Sequence, residues 1–157
     1  MRLNEIAELV EQYRLGLEAQ LALLRQLAAL AERQRDSTGA RDFERLSSES
    51  DERDRVTGGL MAVEEGLSEV RRRLSGDKEL ASATPGWAEV VRLRQEASEL
   101  VSGVLSLDRE SLKALADADT ARRAALVGLE KGETTLVAYR RVLTPPVEHA
   151  ALVDRRG

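Results

Sequence analysis

The chain has 157 residues, a formal net charge of −4, one histidine and no cysteine. This length fits one domain, and the missing thiols remove disulfides, thiolate metal sites and thiol chemistry together. Acids and arginines are interleaved, with only Lys78, Lys113 and Lys131 as lysines, so no basic stripe offers the footprint of a nucleic-acid binder.

More than half of the residues are Ala, Glu, Lys, Leu or Arg, a composition of long helices or coiled coil. The aromatics are Tyr13, Phe43, Trp87 and Tyr139, too few for a thick core. The interior expected is a thin seam of Leu, Val and Ala, stabilised at roughly 25 cal/mol per Å² buried. Such a seam holds helices together and encloses little volume for a small molecule.

Leu3, Ile6, Val10, Tyr13, Leu17, Gln20, Leu24, Leu27 and Ala31 alternate steps of three and four, a heptad seam interrupted by Gln20. Leu9, Leu23 and Leu30 widen it, so the first helix, placed at about 2–35, meets more than one neighbour. Ser37-Thr38-Gly39 reads as punctuation, and Asp42 offers an N-cap to a second helix from about 42 to 74. That helix carries Phe43, Leu46, Val56, Leu60, Val63, Leu67, Val70 and Leu74. Ser47 to Arg55 holds no apolar residue and Gly58-Gly59 follows, so a weak point or bend is expected there. Arg71-Arg72-Arg73, flanked by Glu64, Glu65 and Glu69, reads as a solvated face.

Residues 75–84 form the clearest linker. Thr84 then supplies a hydroxyl cap and Pro85 a first helical residue, with Trp87 anchoring the linker over the helix end. The third helical region spans Pro85 to about Leu143. Its seam is Val90, Leu93, Ala97, Leu100, Val104, Leu107, Ser111, Ala114, Ala118, Ala121, Ala125, Leu129, Gly132, Leu136, Tyr139 and Leu143. At 1.5 Å per residue the first two helices are each roughly 50 Å long, whereas one rod over 85–143 would be about 90 Å. The third helix therefore either breaks near 108–119 and folds back, or projects with its apolar face bare; the continuous rod is the favoured reading. Thr144-Pro145-Pro146 ends it. The fold expected is all-α: an antiparallel, coiled-coil-like bundle of three long helices, the third continuous or broken in two, as one domain over 1–143 with a short tail over 144–157.

Several chemistries find no support. His149 lies in the tail without a ligand-spaced companion, so a zinc site is not expected. Serines lack a histidine on an ordered element, no Gly-rich phosphate loop follows a strand, and paired carboxylates such as Glu64-Glu65 lack a cleft. Neither an enzyme nor a cofactor is expected. Met1-Arg2-Leu3-Asn4-Glu5 does not open a signal peptide, and no apolar run reaches the ~18 residues needed to cross a bilayer; a soluble, cytoplasmic chain without membrane insertion is expected.

The carboxyl-terminal half carries a more particular pattern. Asp108-Arg109-Glu110, Leu129-Glu130-Lys131-Gly132, Tyr139-Arg140-Arg141 and Val153-Asp154-Arg155-Arg156-Gly157 resemble the corresponding half of the FlgN/FliT-type flagellar export chaperones. In those sequences an Asp-containing helical turn precedes a Gly-containing stretch, a tyrosine, a short loop and a closing Asp–basic–Gly tail. Leu27 to Arg35 resembles the family's leucine-rich first helix, and Ala40-Arg41-Asp42 stands at its Ala-Gly-Asp turn, with Arg41 in place of the glycine.

The resemblance implies a cytoplasmic chaperone that covers the amphipathic terminal helix of a late export substrate, a hook-associated or filament-cap protein, until the type III export gate receives it. It implies stripe-to-stripe burial of that helix by Leu126, Leu129, Leu136 and Leu143, over about 1,000–1,500 Å². It also implies that Tyr139 helps dock on the cytoplasmic domain of the export gate. From its sequence position alone, Tyr139 reads first as a seam residue with its ring inward and hydroxyl outward, with a cargo contact as a further alternative. Asp154, Arg155 and Arg156 are read either as part of that ending or as a solubilising tail. The chaperone would be a monomer or homodimer. The competing reading is a structural coiled-coil adaptor whose third helix pairs with itself.

Overall fold

The computed structural model describes residues 2–116 and 123–143, with the side chains of the last helix described from Leu126 onward. Every regular element among them is helical: α1 (Leu3–Gly39), α2 (Phe43–Leu74), a 3-10 turn (Ser75–Asp77), α3 (Lys78–Ala83), α4 (Trp87–Ala116) and α5 (Arg123–Leu143). The chain is all-α. The long rod over 85–143 is not formed: α4 ends at Ala116, and α5 packs back against α4 and α2. A ninety-ångström rod would leave half its apolar seam in water, whereas the folded-back helix buries Leu129, Leu136 and Tyr139.

Four long helices thus form a ring in the order α1, α2, α5, α4, because α1 also packs on both α2 and α4. Pairings fix the directions. Gln20 and Gln34 of α1 meet Glu64 and Ser50 of α2, in reverse order along the chain. Arg25 and Arg35 of α1 meet Glu96 and Glu110 of α4, in the same order. Arg109 of α4 faces Glu133 of α5 at 3.9 Å.

The α1 seam is buried as its spacing predicts, except that Leu3 is exposed and Gln20 belongs to the interior. The helix also outruns its expected end. Ser37 and Thr38 are buried in its last turn, where Thr38 Oγ1 donates to the Gln34 carbonyl at 2.7 Å. Closure comes from a Schellman pair: Asp42 N donates to Ser37 O at 2.9 Å and Arg41 N to Thr38 O at 3.1 Å. The residue between must take a left-handed backbone, and Arg41 does so at φ 57°. Asp42 caps α2 as expected, accepting from Arg45 N at 3.1 Å.

Two expectations about helix ends are corrected. The linker over 75–84 holds a 3-10 turn and α3, which buries Ala81. Thr84 closes α3 by donating Oγ1 to the Leu80 carbonyl at 2.7 Å, so it does not cap α4 with its hydroxyl. The helix begins two residues later than Pro85, after Gly86 turns the chain at φ 97°, a conformation that suits glycine. Trp87 is the packing anchor expected, its ring stacked on Tyr13 with centroids 6.5 Å apart.

The Ser47–Arg55 gap is also corrected. α2 runs unbroken from Phe43 to Leu74, and Glu49 and Arg53 continue its inner face between Leu46 and Val56.

Arg41→Gly removes the steric cost of a left-handed side-chain-bearing residue at an exposed turn. It should stabilise the chain by about 0.5–1 kcal/mol, read as a higher urea midpoint by circular dichroism; an unchanged or lower midpoint would contradict the strain assigned to this turn.

Candidate functional site

The interior is not one continuous apolar seam. A large cluster joins α1, α2 and α4 with Leu136 and Tyr139 of α5, and a small one joins Leu46, Leu115 and Leu129, with Phe43, Leu112 and Leu126 against it. Between them every long helix contributes polar or small residues: Gln34 and Ser37 from α1, Glu49, Ser50 and Arg53 from α2, Asp108 and Ser111 from α4, and Gly132 from α5.

Arg53 and Asp108 form the centre of this layer. Arg53 Nη1 and Nη2 donate to Asp108 Oδ1 and Oδ2 at 2.6 and 2.5 Å, and Nη1 also donates to Gln34 Oε1 at 2.9 Å. Both side chains are almost wholly removed from water. The two-pronged geometry suits a guanidinium and a carboxylate. Gln34 Nε2 donates to Ser50 Oγ at 3.2 Å, and Ser37 Oγ donates to Glu49 Oε1. Arg53 Nε, Glu49 Oε2 and Ser111 Oγ remain buried without a partner.

A second polar group lies further along the groove. Glu64 accepts from Gln20 Nε2 at 3.2 Å and is paired with Arg71. Arg71 is therefore turned inward, unlike the solvated run in which the sequence placed it; Arg72, paired with Glu69 at 2.7 Å, keeps the surface role. The Tyr139 ring is buried at this level. Burial pushes its hydroxyl well above the ordinary tyrosine range, partly opposed by the neighbouring Gln20 amide and by the Arg71 charge. Neither Gln20 Oε1 nor the Tyr139 hydroxyl makes a hydrogen bond of good geometry.

The residues singled out from sequence fall along one helix. Leu129 and Leu136 are buried, Leu126 and Leu143 are half-buried against the two clusters, and Tyr139 is buried with them. All five lie on the covered side of α5, in a groove walled by α2 and α4 and floored at one level by Gln20 of α1. Among the described residues, the exposed large apolar side chains of α5 are Val127 and Val142. The α4 seam also shifts: after Ala97 the buried positions are Val101, Val104, Leu105, Asp108, Ser111 and Leu115, with Leu100 and Leu107 half-buried and Ala114 exposed. Ala118, the side chains of Ala121 and Ala125, His149 and the ending from Asp154 to Gly157 lie outside the described residues.

What this groove can do chemically is hold a helix. Among the described residues no group of three His, Cys, Asp or Glu side chains gathers to hold a metal ion, and no helix is long and apolar enough to cross a membrane. A surface cleft of about 520 Å³ between α1 and α4, over Ala28, Leu100, Val104 and Leu107, is crossed at its rim by the Arg25–Glu96 pair at 2.7 Å.

Sequence reasoning gives Arg53 and Gln34 no role and uses Asp108 only in the carboxyl-terminal resemblance, because the burial of a charged residue depends on a partner far along the chain. Their spacing was the available signal: Leu46, Glu49, Arg53, Val56 and Leu60 keep steps of three and four through the apolar gap.

Asp108→Ala should destabilise the chain by about 3–5 kcal/mol by leaving Arg53 buried and unpaired, whereas Arg53→Met with Asp108→Leu should recover most of that loss. Urea unfolding of the two variants beside the unaltered chain checks this; a loss under about 1 kcal/mol for Asp108→Ala, the size found for surface pairs, would contradict the buried pairing. Comparison with protein-family models, curated proteins and solved structures finds no match to this chain, so function is argued from the groove itself.

Proposed function

We propose that this protein is a cytoplasmic flagellar export chaperone of the FlgN/FliT type, holding the amphipathic terminal helix of a hook-associated or filament-cap protein and releasing it at the type III export gate. The observation that carries the reading is the construction of α5. It is the last described helix, held in a two-walled groove, and among its described residues it fully buries Leu129, Leu136 and Tyr139. Each such side chain contributes about 1.5–3 kcal/mol, against the entropy of ordering the helix. By contrast α1 is buried along nearly its whole length. A helix held by this few fully buried side chains can be exchanged for a helix of similar character.

The stripe of Leu126, Leu129, Leu136 and Leu143 then acts differently from an open binding face. In the free chain it occupies the groove, and cargo binds by taking the place of α5. Tyr139 is covered in that state, so its docking on the gate's cytoplasmic domain requires α5 to leave. No bond is made or broken and no cofactor takes part. Further support comes from the turn at Ala40-Arg41-Asp42, where the left-handed residue stands where the family has glycine. The competing adaptor reading has the third helix pairing with itself; because the α5 stripe is covered, self-pairing through it, like cargo binding, requires α5 to leave the groove.

Capture of the tagged chain from its own motile cells, with bound proteins identified by mass spectrometry, tests the proposal. Recovery of a hook-associated or filament-cap protein is expected. Leu129→Asp or Leu136→Asp should increase the yield several-fold, because each loosens the competing helix. Loss of cargo in these variants would return the four leucines to direct cargo contact. Recovery of the chain alone, in wild type and variants, would overturn the chaperone reading in favour of self-association.

A further inference from the structure

The groove beneath α5 has a register, set by one close approach. A Cβ added at Gly132 would stand 3.2 Å from Arg53 Nε, 3.4 Å from Cζ and 3.5 Å from Nη2. The end of a free arginine would yield to such a contact. Here both terminal nitrogens are bound to Asp108 and one also to Gln34, so the guanidinium cannot swing aside without breaking buried, charge-assisted bonds. Gly128, one turn earlier, differs: its added Cβ would meet Ser50 Oγ at 3.8 Å, an ordinary contact.

The other contacts of α5 are placed relative to that crossing. Three residues before it, Leu129 closes on Leu46 and Leu115. Four residues after it, Leu136 enters the main cluster, and seven after it the Tyr139 ring reaches the level of Gln20 and Arg71. These intervals keep all four residues on one helical face.

We propose that the groove between α2 and α4 selects its occupant by this register. It takes an amphipathic helix with glycine where the helix crosses the Arg53–Asp108 pair, leucines three residues before and four after, and an aromatic hydroxyl seven after. The inference rests on the exchange reading above and names the chemistry of the terminal helix that the exchange admits. A larger apolar side chain at the crossing forces Arg53 off Asp108, and a charged one sets an uncompensated charge against a pair already satisfied. A leucine-rich amphipathic helix lacking the glycine is excluded even though its hydrophobic face is equivalent.

The test uses a fluorescent synthetic peptide of residues 123–143, added to the full chain carrying Leu136→Asp, with Leu129→Asp as a second opened chain and circular dichroism confirming that both remain helical. By anisotropy, the parent peptide and its Gly128→Ala form should bind with similar Kd. The Gly132→Ala peptide should bind about tenfold more weakly, although alanine is the better helix former by about 1 kcal/mol, and Gly132→Leu should not bind. The same alanine substitutions in the otherwise native chain should raise Tm at Gly128 and lower it at Gly132. Equal effects at the two glycines, in peptide and chain alike, would overturn the register rule. If the rule holds within the chain but no peptide binds either opened chain, exchange itself fails, and the assignment of a partner helix falls with it.

Discussion

A buried arginine and a buried aspartate, on helices adjacent to neither each other in sequence nor in the ring of contacts, constrain this bundle more than any leucine does. Arg53 reaches from α2 to Asp108 on α4 and takes Gln34 of α1 on the way. A hydrophobic seam tolerates sliding by a turn, because one leucine replaces another at little cost. A two-pronged ion pair in a dry interior does not: a shift that separates the partners leaves two charges without water. Such pairs add little net stability compared with apolar packing, and their consequence is specificity. Here the pair divides the core into a large and a small apolar cluster and fixes the level at which a fourth helix, through Gly132, can approach.

That explains which parts of the fold were legible in the sequence. The seams of α1 and the second half of α2 announced themselves through leucine spacing, and Asp42 marked the start of α2 because a carboxylate before an apolar run has one ready use. Proline and threonine at 84–85 indicated a helix start nearby, but Gly86 supplied the turn and Thr84 went to the preceding helix. The polar interior was hidden for a general reason. A charged residue on a helix is usually at the surface, and its burial depends on a partner far along the chain, such as Asp108 for Arg53. Even so, the unbroken three-and-four spacing through Glu49 and Arg53 was present. The return of α5 was equally long-range, since small residues between α4 and α5 permit either a rod or a turn.

The candidate site was legible in its residues and not in its state. Leu126, Leu129, Leu136, Leu143 and Tyr139 do share one face, as helical spacing requires. That the face is turned inward follows from a groove assembled by α1, α2 and α4, which no local pattern encodes. The stripe is not open to solvent, because the groove is filled by α5 of the same chain.

The account therefore turns on whether α5 opens apart from the rest of the bundle. Native-state hydrogen exchange followed by mass spectrometry reads this directly. The amides of Arg123–Leu143 should exchange together, well ahead of those in the interiors of α1, α2 and α4, and with a urea dependence smaller than that of global unfolding. Protection of α5 equal to that of α1, lost only when the whole bundle unfolds, would contradict an exchangeable last helix.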